Sequence, residues 1–137
     1  MKMTNPASIK GFALAGKATL TLKSLKSGTH FTYKIRKPKK DDKVRFVSLL
    51  VAPETYAYIG MIKDDHFTLT RKSKMGVEAP SVRAVTFFCD KVLADGTIPE
   101  ALEVRHEGRC GRCNRELTHP DSIDRGIGPE CWKYVGG

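Results

Sequence analysis

The chain has no long apolar run, and this absence limits where it can work. No stretch approaches the roughly 20 apolar residues that a membrane-spanning helix needs, and the polar residues 1–8 lack the apolar segment of a signal peptide. We therefore expect a cytoplasmic protein with no membrane partner. The sequence says nothing about its oligomeric state.

Common catalytic motifs are also missing. The chain contains no phosphate-binding P-loop, no G-x-S-x-G nucleophile motif and no H-E-x-x-H zinc-protease motif. Glu107 directly follows His106, whereas zinc deaminases need one residue between histidine and glutamate. Asp64, Asp65 and His66 resemble a nuclease metal site only in composition, and a polar turn between two strands explains them more simply. We predict a protein that is not an enzyme.

Cysteine is scarce and unevenly placed. Of the four cysteines in 137 residues, Cys110, Cys113 and Cys131 fall in the last 28 positions. In a reducing cytoplasm such a cluster indicates metal binding rather than disulfides. Cys89 follows two phenylalanines, so we expect it to be a buried free thiol.

The spacing of the three clustered cysteines favours Zn²⁺. A C-x2-C turn directs two sulfur atoms at one tetrahedral centre, and the third cysteine follows after 17 residues. The fourth ligand is open on spacing alone. His106 lies four positions before Cys110, and His119 lies in the intervening loop. The segment is too small to build its own core, so we predict a structural zinc knuckle that folds with metal-binding energy.

Acidic residues are few in the first half of the chain. Residues 1–74 hold 16 Lys/Arg against 5 Asp/Glu, a net charge of +11, whereas residues 75–137 hold 8 against 10, a net charge of −2. A positive surface attracts polyanions and releases counterions on binding. Nucleic acid is therefore the leading partner class.

Aromatic residues are interleaved with these basic residues, as in small β-domains that stack single-stranded bases. The aromatics are Phe31, Tyr33, Tyr56 and Tyr58. The predicted nucleic-acid-binding residues are Lys34, Arg36, Lys37, Lys39, Lys40, Lys43, Arg45, Arg71, Lys72 and Lys74. Phe31 and Tyr33 alternate with polar residues, so they can equally face the core. In that case only charge remains to drive binding.

Residues 18–74 have the pattern of β-structure. Ala18, Leu20 and Leu22 alternate with polar residues, and a similar run follows the turn at Gly28, which predicts an antiparallel hairpin. Residues 44–51 are apolar on both faces and predict a central strand. Residues 56–62 and 66–70 complete five predicted strands.

The apolar period changes to helical spacing over residues 81–94, with Pro80 suited to the first turn. The sequence therefore predicts an α+β fold: a small antiparallel sheet or partial barrel with one covering helix, plus a C-terminal zinc knuckle. We divide the chain into a basic β-rich domain at 1–104 and a zinc-binding module at 105–137.

The C-terminal pattern resembles a module of unknown function in uncharacterised bacteriophage proteins, which also occurs appended to other proteins, some of them helicase-like. The matching positions are His106, 108–113, Arg115, Leu117, Thr118, Pro120, Ser122, Ile123, 126–129 and Cys131. Upstream, residues 15–22, 28–35, 46–50, 58–60, 72–74 and 79–81 are similar to the same proteins.

The resemblance implies that His106 completes the ligand set with Cys110, Cys113 and Cys131, with His119 as the alternative. It also implies a phage protein in the host cell cytoplasm, but no settled activity. We predict a non-enzymatic protein that binds nucleic acid, single-stranded and with weak sequence preference, through the lysine-rich sheet. The alternative is an interaction factor that binds and inhibits or redirects a host protein in defence, transcription or replication.

Overall fold

The computed structural model describes residues 1–135. An antiparallel sheet of seven strands curls into a half-barrel, with helices packed on one face, which confirms the predicted α+β class. In chain order the strands are β1 (Lys2–Met3), β2 (Lys17–Ser24), β3 (His30–Arg36), β4 (Val44–Ala52), β5 (Thr55–Lys63), β6 (His66–Thr68) and β7 (Leu102–His106). Across the sheet they run β1-β7-β2-β3-β4-β5-β6.

The helices are short and begin at sequence signals. They are α1 (Pro6–Ala13), α2 (Pro80–Phe88), α3 (Pro120–Arg125) and α4 (Pro129–Val135), and a π-helical segment, Cys89–Ala94, continues α2. Each α-helix starts with proline, whose fixed φ suits the first turn. Together α2 and the π-helical segment occupy the region predicted as the covering helix.

The hairpin of β2 and β3 follows the predicted alternation. Leu20 lies opposite Tyr33 in the antiparallel register, and both side chains are fully buried. Gly28 closes the turn with a φ of 76°, a conformation that glycine adopts without strain. The polar alternate positions, such as Thr21 and Thr32, lie on the opposite face, where their hydroxyls are 2.8 Å apart.

Strand β4 is central, as predicted, but its apolar residues have different environments. Val47 and Leu49 are buried in the core, whereas Phe46 and Leu50 alternate with them and are exposed on the outer side. Val51, where the pairing with β5 is irregular, is also exposed. The continuous apolar run therefore does not mean burial on both faces. It leaves an apolar strip on the face away from the helices.

The polar sequence between β5 and β6 forms a tight turn. Asp64 and Asp65 both have positive φ, of 51° and 66°. Lys10 pairs with Asp65 at 2.8 Å, and His66 lies 2.8 Å from Asp90. Asp65 and His66 are thus paired with residues of neighbouring elements, as expected for a polar turn.

Two strands at one end of the sheet were not predicted: the edge strand β1 and its neighbour β7. Strand β7 lies between β1 and β2 and pairs antiparallel with both, with Val104 opposite both Met3 and Leu22. The division into 1–104 and 105–137 stays a prediction, and its boundary falls inside β7. The last two residues of that predicted module lie outside the described part.

The C-terminal segment shares one core with the sheet. Phe12 of α1 is fully buried and packs against the backbone of Gly111 and Gly126. A Cβ atom added at Gly126 would lie 2.6 Å from Phe12 Cδ1. Its ring also lies 5.6 Å, between centroids, from the ring of His106. Phe12 therefore joins α1 to the module that carries the cysteines.

In the part of the chain that the structure describes, no helix combines the length and apolar character needed to cross a membrane.

Candidate metal centre and nucleic-acid face

Three predicted ligands meet at one point. The sulfur atoms of Cys110, Cys113 and Cys131 all lie within 4.8 Å of one another. Cys110 and Cys131 are buried, and Cys113 is partly exposed. Thiolates at this separation can coordinate a single ion, so the cluster can hold a metal.

The turn after β7 positions the first two sulfurs. The Cys110 N–H donates to the Arg115 carbonyl at 2.8 Å, and the Asn114 N–H donates to the Cys110 carbonyl at 2.9 Å. Asn114 has a φ of 67°, a conformation that asparagine tolerates better than most residues. The Arg112 N–H also lies 3.4 Å from the Cys110 sulfur. This chain reversal is the predicted knuckle.

Helices α3 and α4 deliver the third sulfur. Gly126 ends α3 in the left-handed conformation and accepts a hydrogen bond from the Gly111 N–H at 2.9 Å. Pro129 then begins α4, which places Cys131 in its first turn. The glycine and proline in this segment thus turn the chain back toward the knuckle.

The protein already favours negative charge at one sulfur. Burial raises the pKa of the Cys110 thiol, but the N–H groups of Gly128, Cys113 and Arg112 outweigh it and bring the pKa below its usual value. Burial raises the pKa of Cys131, although the Arg112 side chain counteracts this. The Cys110 thiol therefore ionises more readily than the Cys131 thiol, and a bound cation would favour the thiolate at all three positions.

His106 is not in this cluster. It is buried, and both ring nitrogens are engaged: the Gly108 N–H donates to Nδ1 at 2.8 Å, and Nε2 donates to the Ile123 carbonyl at 2.6 Å. Burial lowers the pKa of His106, which keeps the ring neutral, as this bonding pattern requires. The structure therefore does not bring the predicted four-residue set together. His106 instead ties β7 to α3.

His119 is also outside the three-residue group. It is exposed and caps α3, with its Nδ1 accepting from the Asp121 N–H at 3.3 Å. It lines a cavity of about 440 Å³ together with Cys113 and Cys131. His119 therefore shares a cavity with two of the cysteines without belonging to their cluster.

Arg112 contacts the centre in a way that its sequence position only partly indicates. Its Nη1 lies 3.5 Å from the Cys131 sulfur, and its guanidinium stacks over the Tyr134 ring at 4.3 Å from the centroid. Its contact with Cys131 depends on how α4 packs.

Most predicted nucleic-acid-binding lysines and arginines are exposed. Lys37, Lys39, Lys40 and Lys43 lie in the loop between β3 and β4, and Arg71, Lys72 and Lys74 lie in the segment after β6. That segment runs beside β5, because the Lys74 N–H donates to the Tyr58 carbonyl at 2.9 Å.

Arg45 has a structural role instead. Its side chain donates to the carbonyls of Leu14, Asp42 and Val44 at 2.8 to 2.9 Å. Burial lowers the pKa of Arg45, although the nearby Asp42 carboxylate acts to raise it. This arginine connects β4 to the end of α1, and its Nε and Nη1 donors are used within the protein.

The aromatic residues divide between the two faces of the sheet. Tyr33 is fully buried and donates to the Ser81 carbonyl at 2.7 Å, and Phe31 packs against the core. Tyr56 and Tyr58 lie on the outer face, where Phe46, which sequence reasoning missed, joins them. We call Phe46, Tyr56 and Tyr58 the aromatic face.

Close contacts connect the aromatic face to basic residues. The rings of Phe46 and Tyr58 meet edge to face at 5.8 Å between centroids. Lys34 Nζ lies 4.4 Å from the centroid of the Tyr56 ring. The Tyr58 hydroxyl accepts from Thr70 at 3.1 Å, next to Arg71 and Lys72. The aromatic face thus has Lys34 over one ring and the basic segment that follows Thr70 beside another.

One comparison with known proteins gives a match. Residues 100–136 match a family of unknown function, DUF6011. The match covers 37 of 137 residues and includes β7 and all three clustered cysteines. It supports similarity to an uncharacterised family, and the phage origin stays a prediction. No curated protein and no solved structure matches the chain.

Proposed function

We propose that this protein binds single-stranded nucleic acid on its aromatic face, without catalysis, and that a structural Zn²⁺ holds its C-terminal module. The observation that supports binding most strongly is the placement of three aromatic rings on the outer face of the sheet beside lysine and arginine side chains. The observation that supports the metal is the convergence of three thiols.

The metal assignment rests on donor chemistry. Thiolates are soft ligands, and tetrahedral sites rich in sulfur select zinc over magnesium or calcium. The knuckle and the two short helices bury few side chains of their own, so a metal would supply part of their folding free energy.

Binding by the aromatic face combines two physical terms. Exposed basic side chains neutralise phosphates and release counterions, and this term depends strongly on salt. Exposed rings then stack on unpaired bases, whose faces are hidden in a duplex. Phe46 is 41% exposed and its ring meets the Tyr58 ring edge to face, and contiguous exposed apolar surface of this kind often marks a binding site.

The test is binding of a labelled oligothymidine and of a duplex of equal length, measured by fluorescence anisotropy over a range of salt concentrations. We expect tighter binding to the single strand and an affinity that falls as salt increases. Phe46→Ala and Tyr56→Ala should each weaken single-strand binding by about 5- to 150-fold, because stacking contributes about 1–3 kcal/mol per base.

Phe87→Ala is the matched control for this experiment. Phe87 is 43% exposed, like Phe46, but it lies on α2, on the helix side of the sheet. Its replacement should leave the affinity unchanged. Absence of binding at low salt, or an equal loss for Phe46→Ala and Phe87→Ala, would contradict the proposal.

The helix side favours a second candidate function, binding to a protein, in keeping with a factor that redirects a host protein. Phe87 stands between two apolar grooves of about 400 and 540 Å³. Val77, at the second groove, is 70% exposed. Affinity purification from nuclease-treated host lysate tests this function. A specific partner that Phe87→Ala loses and Phe46→Ala keeps would support it, and a partner lost equally in both variants would count against it.

A further inference from the structure

The metal centre has three protein ligands close together and no fourth of comparable position. Within residues 1–135, the only cluster of three or more cysteine, histidine or carboxylate groups with metal-binding separations is that of Cys110, Cys113 and Cys131. The two histidines nearest in sequence are both used elsewhere, one buried against α3 and one as the cap of that helix. A four-coordinate ion must therefore take its last ligand from another source.

His106 is poorly suited to move into the centre. His106 is paired with Leu20 in the sheet. Its ring makes two hydrogen bonds and packs on Phe12. Coordination through either nitrogen would break one of those hydrogen bonds. The Gly108 N–H or the Ile123 carbonyl would then lose its partner within the protein, which costs about 1–3 kcal/mol for a buried group.

The cavity beside the sulfur atoms can hold an external ligand. It measures about 440 Å³, and Cys113, Cys131, His119 and Ser122 are among the residues that line it. A water molecule occupies about 30 Å³ in the liquid. The space next to the ion therefore admits a ring-sized donor as well as water.

The charges around the centre favour a neutral donor. Three thiolates and one Zn²⁺ carry a net charge of −1, and the Arg112 guanidinium at the Cys131 sulfur offsets it. The cavity wall contributes Arg115 together with Glu116 and Glu130, which adds no positive charge for an anion. A fourth thiolate or carboxylate would leave a negative charge without a partner.

We propose that the ion is held by three cysteine thiolates and that its fourth coordination position faces this cavity, where it takes an exchangeable neutral donor such as water or an imidazole-type nitrogen. This inference rests on the proposed metal site. It makes the centre a ligand-binding site as well as a structural one, with the nitrogen donor entering past His119.

The experiment uses the full chain loaded with Co²⁺, which takes the same ligands as Zn²⁺ and whose visible absorption bands report its donor atoms. Metal content is measured first, and free imidazole is then titrated into the wild type, His119→Ala and His106→Gln. Glutamine offers one donor and one acceptor, the same bonding groups as the neutral His106 ring. X-ray absorption of the zinc-loaded proteins gives the number of sulfur donors and shows whether imidazole is bound before the titration.

We expect one metal ion per chain in all three proteins, three sulfur donors with one lighter atom, and no imidazole signal before the titration. Imidazole should then shift the cobalt bands in all three with affinities within about threefold of one another, as RT ln 3 is below 1 kcal/mol. If imidazole shifts the cobalt bands of His119→Ala but not those of the wild type, His119 occupies the fourth position, which would overturn the inference. A shift of the cobalt bands only in His106→Gln would identify His106 as the fourth ligand. The absence of a shift in all three proteins would also overturn the inference. Failure to bind metal at all would instead refute the centre itself.

Discussion

Cys131→Ser is expected to abolish stoichiometric zinc binding and to unfold residues 106–135 locally. The variant removes one of three thiolates whose sulfur atoms lie within 4.8 Å of one another. Serine offers a hydroxyl that stays protonated near neutral pH and binds zinc weakly. Because α4 joins the knuckle at this residue, both short C-terminal helices depend on the bond between the metal and the Cys131 sulfur.

The expected effect is large because metal binding and folding of this module are coupled. Structural Zn²⁺ binds with about 10–16 kcal/mol in zinc-finger peptides, and most of that energy appears as folding free energy. The measurements are metal content after gel filtration and hydrogen exchange resolved along the chain. Protection should fall in residues 106–135 and persist in β2 to β5.

Cys89→Ala is the matched control, since Cys89 is a buried thiol outside the cluster. It should keep one metal ion per chain. Cys110→Ser should reproduce the loss seen for Cys131→Ser. Full metal retention by the double variant Cys110→Ser/Cys131→Ser would refute the site.

Phe12→Ala should destabilise the zinc-loaded protein by about 3–5 kcal/mol, the cost of truncating a fully buried phenylalanine. The reason is that Phe12 projects from α1 and packs against His106 and the two glycines of the cysteine-bearing module. The variant leaves a cavity at the junction, so both layers lose contacts. Chemical denaturation followed by circular dichroism measures the change in the free energy of unfolding.

A double-mutant cycle tests the specific contact between Phe12 and Gly126. Gly126→Ala alone should destabilise, because its Cβ would lie 2.6 Å from Phe12 Cδ1 and its φ is 74°. With Phe12→Ala the clash with the ring disappears, and what remains is the backbone strain and a 3.2 Å contact with the Cβ atom of residue 12. The two changes should therefore be less than additive.

The stability control is again Phe87→Ala, whose exposed ring should contribute less than about 1 kcal/mol. A loss below that value for Phe12→Ala would mean that the module does not depend on α1. Strict additivity in the cycle would show that Phe12 and Gly126 do not interact in solution.

Local sequence patterns predicted the hairpins well. Period-2 alternation around Gly28 indicates which side chains of β2 and β3 face the core, because a strand places successive side chains on opposite faces. The helical spacing after Pro80 likewise predicts where the chain covers the sheet. These features depend on neighbouring residues and can be read without tertiary information.

Strand β7 could not be predicted in this way. It is five residues long, and its pairing partners β1 and β2 lie about 80 to 100 positions earlier in the chain. Isolated strands are specified by their partners more than by their own propensity. The role of His106 follows from the same fact, since its hydrogen bonds exist only once β7 and α3 are packed together.

The aromatic residues show the same division. Alternation places Tyr33 on one face and Lys34 on the other, but which face the helices cover is a tertiary property. The helices cover the face that carries Tyr33, which is buried, and Phe46 on the other face is exposed beside Tyr58.

The sequence by itself determined three thiols at metal-binding spacing, a basic first half and a β-rich pattern, because these are properties of residue type and local order. Only the tertiary structure decided which aromatics face solvent, that Arg45 is structural and that neither histidine joins the sulfur cluster. Those outcomes depend on contacts between distant segments, and the packing of α1, β7 and α3 against one another sets them.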